Sequence, residues 1–126
     1  MSSRTPLAKV RGLGSARHGT EHFWLQRLTA VANIFLACFL IGLVIRYAGA
    51  DYATVRQALG RPYIAIPLLL LVLSGVVHMR LGMQTIIEDY VHSDGRKVLA
   101  LMLNTFFAVL VCIVSVFAVL KLSFGA

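Results

Sequence analysis

Three long stretches of this chain carry no charged residue: 28–45, 62–79 and 98–120, of 18, 18 and 23 residues. About 20 residues of helix cross the hydrocarbon of a bilayer, so each stretch reaches across once interfacial residues are added at its ends. Phe23 and Trp24 before the first, and Tyr63 at the start of the second, are aromatics of the kind that settle at headgroup level. Hydrocarbon offers the backbone no water, so a spanning segment must satisfy its own N–H and C=O groups, as a helix does. Barrel strands would alternate polar and apolar residues, and these runs do not. The expectation is an all-α membrane protein with a single membrane domain over 1–126. Its three transmembrane helices are expected over 22–47, 63–90 and 97–122. Residues 1–20 read as a flexible or surface-bound segment.

Composition agrees. Charged residues are 13% of the chain, against roughly 25% in soluble domains, too few to cover a water-soluble fold of this size. The 12 Lys and Arg against 5 acids therefore speak of topology and lipid headgroups rather than nucleic acid. No basic run alternates with aromatics as a groove binder requires. The N-terminal segment and the second connection hold Arg4, Lys9, Arg11, Arg17, Arg27, Arg80, Arg96 and Lys97; the other side holds Arg46, Arg56, Arg61 and Lys121. This bias places the N-terminus in the cytoplasm, or in a mitochondrial matrix, and the C-terminus outside. The first connection, 46–61, reads as a polar loop with room for a short interfacial helix. The second, 91–96, reads as a tight turn around Ser93-Asp94-Gly95. Cys38 and Cys112 lie in apolar runs as ordinary small thiols, with no CxxC or Cys/His cluster. The first apolar run follows a long basic stretch, which fits a retained signal anchor better than a cleaved peptide.

The chemistry gathers on the second helix. Ser74, His78, Gly82, Thr85 and Asp89 are spaced by four, four, three and four, which puts them on one face. Small and polar residues in a lipid-soluble helix face protein or a cofactor, and small neighbours leave room for a flat macrocycle. His78 lies about 18 Å from Tyr90 along the axis, deep in the bilayer if Tyr90 marks the cytoplasmic surface. Two readings stand open for it. A neutral imidazole there can ligate haem iron through one nitrogen and hydrogen-bond through the other, or it can simply bridge two helices. A proton relay lacks a second titratable group at that depth. His18, His22 and His92 belong near the cytoplasmic face, so a six-coordinate iron at His78 takes its other ligand from another chain. Three helices are also few to enclose a porphyrin.

Tyr90 offers a phenol to a quinone carbonyl, and Asp89 a carboxylate that can hold an arginine or relay protons. The plainer reading is an aromatic-belt tyrosine beside a solvated acid. Arg27 either pairs with Asp89 or Glu88 or snorkels as a topology anchor. Thr29, Asn33, Asn104, Thr105 and Ser115 fit inter-helical hydrogen bonds. Pro67 marks a kink or a tolerated first turn.

The segment His78-Met79-Arg80-Leu81-Gly82-Met83-Gln84-Thr85-Ile86-Ile87-Glu88-Asp89-Tyr90-Val91 resembles a histidine–Gly-Met–Asp-Tyr-Val signature. It is found in the small hydrophobic membrane anchor of succinate dehydrogenase, respiratory complex II. Gly19-Thr20-Glu21-His22-Phe23-Trp24-Leu25-Gln26-Arg27-Leu28-Thr29-Ala30 is similar to the segment opening the first helix of alphaproteobacterial members. The resemblance covers most of the chain. It implies that His78 supplies one axial ligand to haem b, shared with the larger cytochrome b anchor, the two packing into a haem-binding bundle. It implies that Tyr90 hydrogen-bonds ubiquinone, with Asp89 and Arg27 as supporting residues. The flavoprotein and iron–sulfur subunits would be the remaining partners, and the bacterial cytoplasmic membrane the location. Arg80 departs from relatives with an apolar or aromatic residue there, which touches propionate or lipid contacts rather than the ligand positions. Two alternatives share the architecture: a haem-less structural anchor, and the anchor of a quinol:fumarate reductase. A transporter or channel would need charges lining a path at depth, and none is present.

Overall fold

The computed structural model describes residues 5–12 and 18–125. Five helices follow one another: α1 (Pro6–Val10), α2 (His18–Tyr47), α3 (Tyr52–Leu59), α4 (Pro62–Tyr90) and α5 (Asp94–Phe124). Of these, α2, α4 and α5 are long and apolar enough to cross a membrane, and no strand occurs among the described residues. They hold 30, 29 and 31 residues, about 45 Å each at 1.5 Å per residue. That exceeds the ~30 Å of hydrocarbon, and the excess carries the charged and aromatic ends.

The helix limits differ from the sequence reading for local reasons. α2 opens at His18 rather than 22, with Glu21 in its first turn, where a negative charge meets the positive end of the helix dipole. Residues 18–20 are thus helical, and α1 gives the preceding segment a short helix of its own. The remainder of the expected flexible segment, 1–4 and 13–17, lies outside the described residues. α4 opens on Pro62, whose fixed φ suits the first helical position, and it continues through Pro67. α5 opens at Asp94 rather than 97, because Ser93 serves as N-cap and its carbonyl accepts the Lys97 N–H at 2.8 Å. The turn expected over 91–96 shrinks to 91–93. Gly125, at φ +71°, closes α5 in the left-handed conformation that glycine adopts freely.

The first connection contains the short helix that its sequence leaves room for. α3 follows Asp51, whose carboxyl is held below the usual carboxylate range by the Thr54 hydroxyl donating to it. Gly60 ends α3 against the backbone of α5, where a Cβ would stand 2.6 Å from the Leu122 carbonyl oxygen. Its φ of −77° suits any residue, so the requirement is space. Gly60→Ala is expected to cost about 1–3 kcal/mol through overpacking, seen as a lower thermal midpoint in detergent. An unchanged midpoint would show that α3 is free to move off α5.

α4 is the middle helix, packed against α2 on one side and α5 on the other. Thr29 of α2 meets His78 of α4, Gln26 approaches Gly82, and Leu40 shares an apolar groove with Leu68. These pairs define an antiparallel register in which Leu28 is about level with Met79 and Ile45 with Pro62. The two 18-residue uncharged runs therefore lie alongside each other from end to end. On the other flank, the Asn104 amide donates to the Arg80 carbonyl at 3.0 Å, and Gly60 meets Leu122, so α5 is antiparallel to α4.

Few side chains are enclosed. The buried apolar residues are Ala58, Ile64, Ala65, Leu81, Ile87, Ala108 and Val119, and the one buried polar residue among those described is Thr29. Of the polar residues expected to bridge helices, Thr29 and Asn104 do so. Thr105 instead bonds back to the Leu101 carbonyl of its own helix at 3.0 Å. Cys38 faces outward rather than into a core.

Candidate functional site

The seam between α2 and α4 brings together a polar face from each helix. From α4 comes the stripe Ser74, His78, Gly82. From α2 comes His22, Gln26, Thr29, Asn33, spaced by four, three and four and so also on one helical face. Thr29 is at the centre of the contact, 8% exposed. Its hydroxyl oxygen lies 2.7 Å from the Leu25 carbonyl, 3.2 Å from the Gln26 carbonyl and 3.2 Å from Nδ1 of His78. One turn earlier on α4, the Ser74 hydroxyl donates to the Thr29 carbonyl at 3.3 Å. Two bonds a helical turn apart thus fasten α4 to one residue of α2. His78 is half-buried. Among the described residues its Nδ1 has this partner and its Nε2 has none.

The register sets His78 next to the level where charge begins on both helices, Arg27 on α2 and Arg80 on α4, at one end of the shared uncharged zone. The room beside it lies elsewhere than expected. Gly82 is turned to α2, where a Cβ would stand 3.5 Å from the Gln26 amide nitrogen, whereas a Cβ on Gly75 would meet nothing within 4 Å. Open space therefore adjoins the turn before His78, and the turn after it admits Gln26.

Asp89 and Tyr90 close the same helix about 18 Å further along the axis. Both are exposed, Tyr90 at 77%, and the Tyr90 carbonyl lies 3.1 Å from Nδ1 of His92. Glu88 accepts a bond from Gln84 at 2.8 Å. Arg27 is not brought to these acids. Its guanidinium lies over the Phe23 ring, 4.5 Å from the centroid, a cation–π contact within α2. The register explains why: Arg27 is level with Arg80 and Leu81, about two turns from Asp89. The structure thus gathers His78 with Ser74, Gly82, Gln26 and Thr29, and leaves Tyr90 with Asp89 at the helix end.

Among the described residues, His22 Nε2, Gln26 Oε1 and Asn33 Oδ1 of α2 are buried without a hydrogen-bond partner. With Thr29 they form one face, of which the sequence reading took Thr29 and Asn33 as inter-helical hydrogen-bonders and His22 as a residue near the cytoplasmic face. Their four-three-four spacing was the available signal, hidden because His22 and Gln26 precede the uncharged run. Among the described residues, no group of three or more His, Cys, Asp or Glu side chains converges as a metal site. Of the seam's two imidazoles, His22 and His78, His78 is the one held through Nδ1 by the neighbouring helix.

Residues 1–112 match the family of succinate dehydrogenase/fumarate reductase transmembrane subunits. The succinate dehydrogenase hydrophobic membrane anchor subunit of Paracoccus denitrificans is 33% identical over 122 residues, covering 97% of this chain and 94% of that protein. The subunit of the same description from Rickettsia bellii (strain RML369-C) is 32% identical over 117 residues, covering 90% and 94%. The succinate dehydrogenase membrane anchor subunit of Reclinomonas americana is 31% identical over 90 residues, covering 69% and 75%. With three apolar helices of spanning length and a match over most of its residues, the chain belongs to the succinate dehydrogenase/fumarate reductase transmembrane subunit family.

Proposed function

We propose that this chain is the haem-binding membrane anchor of a succinate:ubiquinone oxidoreductase, with His78 as one axial ligand of a haem b and Tyr90 as a hydrogen-bond donor to ubiquinone. The observation that carries the reading is the His78 ring, tethered through Nδ1 to Thr29 with Nε2 unengaged. An imidazole that ligates a metal keeps its other nitrogen in a hydrogen bond of this kind.

The residues fit such a group in three respects. The chain supplies one nitrogen ligand, and a haem shared between two chains asks one of each. Open space adjoins the preceding turn at Gly75. The ring stands at the charged end of the shared uncharged zone, where Arg27 or Arg80 would be at hand for the carboxylates of such a group. α2 and α4 touch at Thr29 and His78, leaving no slot between them, so His22 is not the second ligand. That ligand comes from the larger cytochrome b anchor. The sparse core, with α4 in contact on two sides alone, is what half of a larger bundle presents.

When bound, the haem supplies a one-electron redox centre. The chain's own residues do the rest. Reducing ubiquinone takes two electrons, delivered from succinate by the flavoprotein and iron–sulfur subunits, and two protons. The exposed Tyr90 phenol donates to a quinone carbonyl at the cytoplasmic end of α4, and Asp89 behind it takes protons from water. Arg27 contributes positive charge nearer His78. The enzyme lies in the cytoplasmic membrane of a bacterium with the N-terminus inside.

Purification in mild detergent tests the reading as a whole. The expected result is co-purification with a flavoprotein, an iron–sulfur protein and a second membrane chain, and an optical spectrum with b-type bands. A complex without those bands would make the chain a structural anchor. A chain isolated without soluble partners would overturn the reading entirely.

A further inference from the structure

We infer that Thr29 is a positioning residue for His78: its hydroxyl oxygen accepts the Nδ1–H of the imidazole, fixing the tautomer that leaves Nε2 bare. This rests on the reading of His78 as a haem ligand and adds to it a residue on the neighbouring helix.

The hydrogen count carries the assignment. Thr29 has one hydroxyl proton and three acceptors within reach, the Leu25 carbonyl at 2.7 Å, the Gln26 carbonyl at 3.2 Å and Nδ1 of His78 at 3.2 Å. The proton goes to the nearest carbonyl, the back-bond that a helical threonine ordinarily makes. A hydroxyl lone pair then faces Nδ1. Two lone pairs 3.2 Å apart repel, so the proton of the neutral imidazole sits on Nδ1 and Nε2 is left as the acceptor. The tautomer is therefore decided by α2, while the ligand itself belongs to α4.

The surroundings make the tether firm. Thr29 is buried, so water has little access to compete for the bond. The Ser74 bond to the Thr29 carbonyl holds the two backbones together one turn from the ring. Partners of this sort alter metal affinity by about 10–100-fold when removed, through ring orientation and through the electron density that a donating Nδ1–H lends to Nε2.

The test uses the purified complex with Thr29→Val, which keeps the shape and removes the acceptor. Thr29→Ser restores it, and Ser74→Ala loosens the same seam without touching the ring. The readouts are the rate of haem loss to apomyoglobin and the low-spin ferric g-values by electron paramagnetic resonance. Thr29→Val is expected to lose haem about tenfold faster with shifted g-values, while Thr29→Ser matches the wild type and Ser74→Ala changes both readouts less than Thr29→Val. Unchanged loss and g-values in Thr29→Val overturn the inference, and so does an equal change in Ser74→Ala, which would make the effect one of packing. Should Thr29→Val not assemble, Thr29→Ala gives the same readouts and is judged by the same outcomes. His78→Leu separates the two levels. Full haem content in His78→Leu overturns the ligand reading itself, whereas haem lost there beside an unaltered Thr29→Val overturns the positioning role alone.

Discussion

A complex carrying His78→Leu is expected to assemble with its partner subunits and to lack the b-type absorbance of the wild type. Leucine is the informative replacement because it leaves no unsatisfied polar group in the seam. Thr29 keeps its carbonyl partners at Leu25 and Gln26, and Ser74 keeps the Thr29 carbonyl. An apolar side chain at the α2–α4 contact is therefore tolerated, whereas a polar non-ligand would add a desolvation cost of its own. With His78 as an axial ligand, the substitution would remove one of the two, and haem content per flavin is expected to fall to near zero in a pyridine haemochrome assay. A b-type spectrum of unchanged intensity would show that His78 only bridges two helices.

Tyr90→Phe is expected to slow ubiquinone reduction about tenfold or more, while succinate oxidation by an artificial acceptor stays at the wild-type rate. Tyr90 is the last residue of α4 and largely exposed, so the substitution removes one phenol oxygen and disturbs no packing. A neutral hydrogen bond alone is worth about 0.5–1.5 kcal/mol, up to roughly tenfold in rate. A donor that also passes a proton in the transition state gives about a hundredfold or more. The size of the defect thus distinguishes a phenol that holds quinone from one that protonates it. Normal ubiquinone kinetics would return Tyr90 to the aromatic belt. Asp89→Asn is the companion variant. A defect there with Tyr90 intact would place the proton supply on the carboxylate.

The membrane fold was legible because hydrocarbon permits so little else. Uncharged runs of 18, 18 and 23 residues have one economical conformation in lipid, and the structure has helices over all three. The ends were read less well. Where lipid no longer dictates the conformation, single residues do, as Ser93 and Asp94 start α5 and Glu21 draws α2 back to His18. His78 was legible as a residue because an intramembrane histidine is costly and rarely idle. Its tether was not, because Thr29 looks like any helical threonine until the register of α2 against α4 is known. The same register explains why Arg27 does not meet Asp89, the first of its two sequence readings. Its nearness in sequence to the start of the helix suggested the company of Asp89, but α2 extends nine residues before Arg27, from His18, and carries it down to the level of Arg80.

The equal and level uncharged runs of α2 and α4 have a mechanical consequence. The paired zone is about 27 Å thick at 1.5 Å per residue, close to the thickness of a bilayer core. A thicker or thinner membrane presses on both helices at the same heights and in the same sense. The pair answers a thinner membrane by tilting as one body and a thicker one by thinning the bilayer around both helices, and neither helix is pulled past the other. Changes in lipid composition therefore spare the Thr29–His78 bond the shear that unequal partners would impose, so the imidazole keeps its aim while the membrane around it changes thickness.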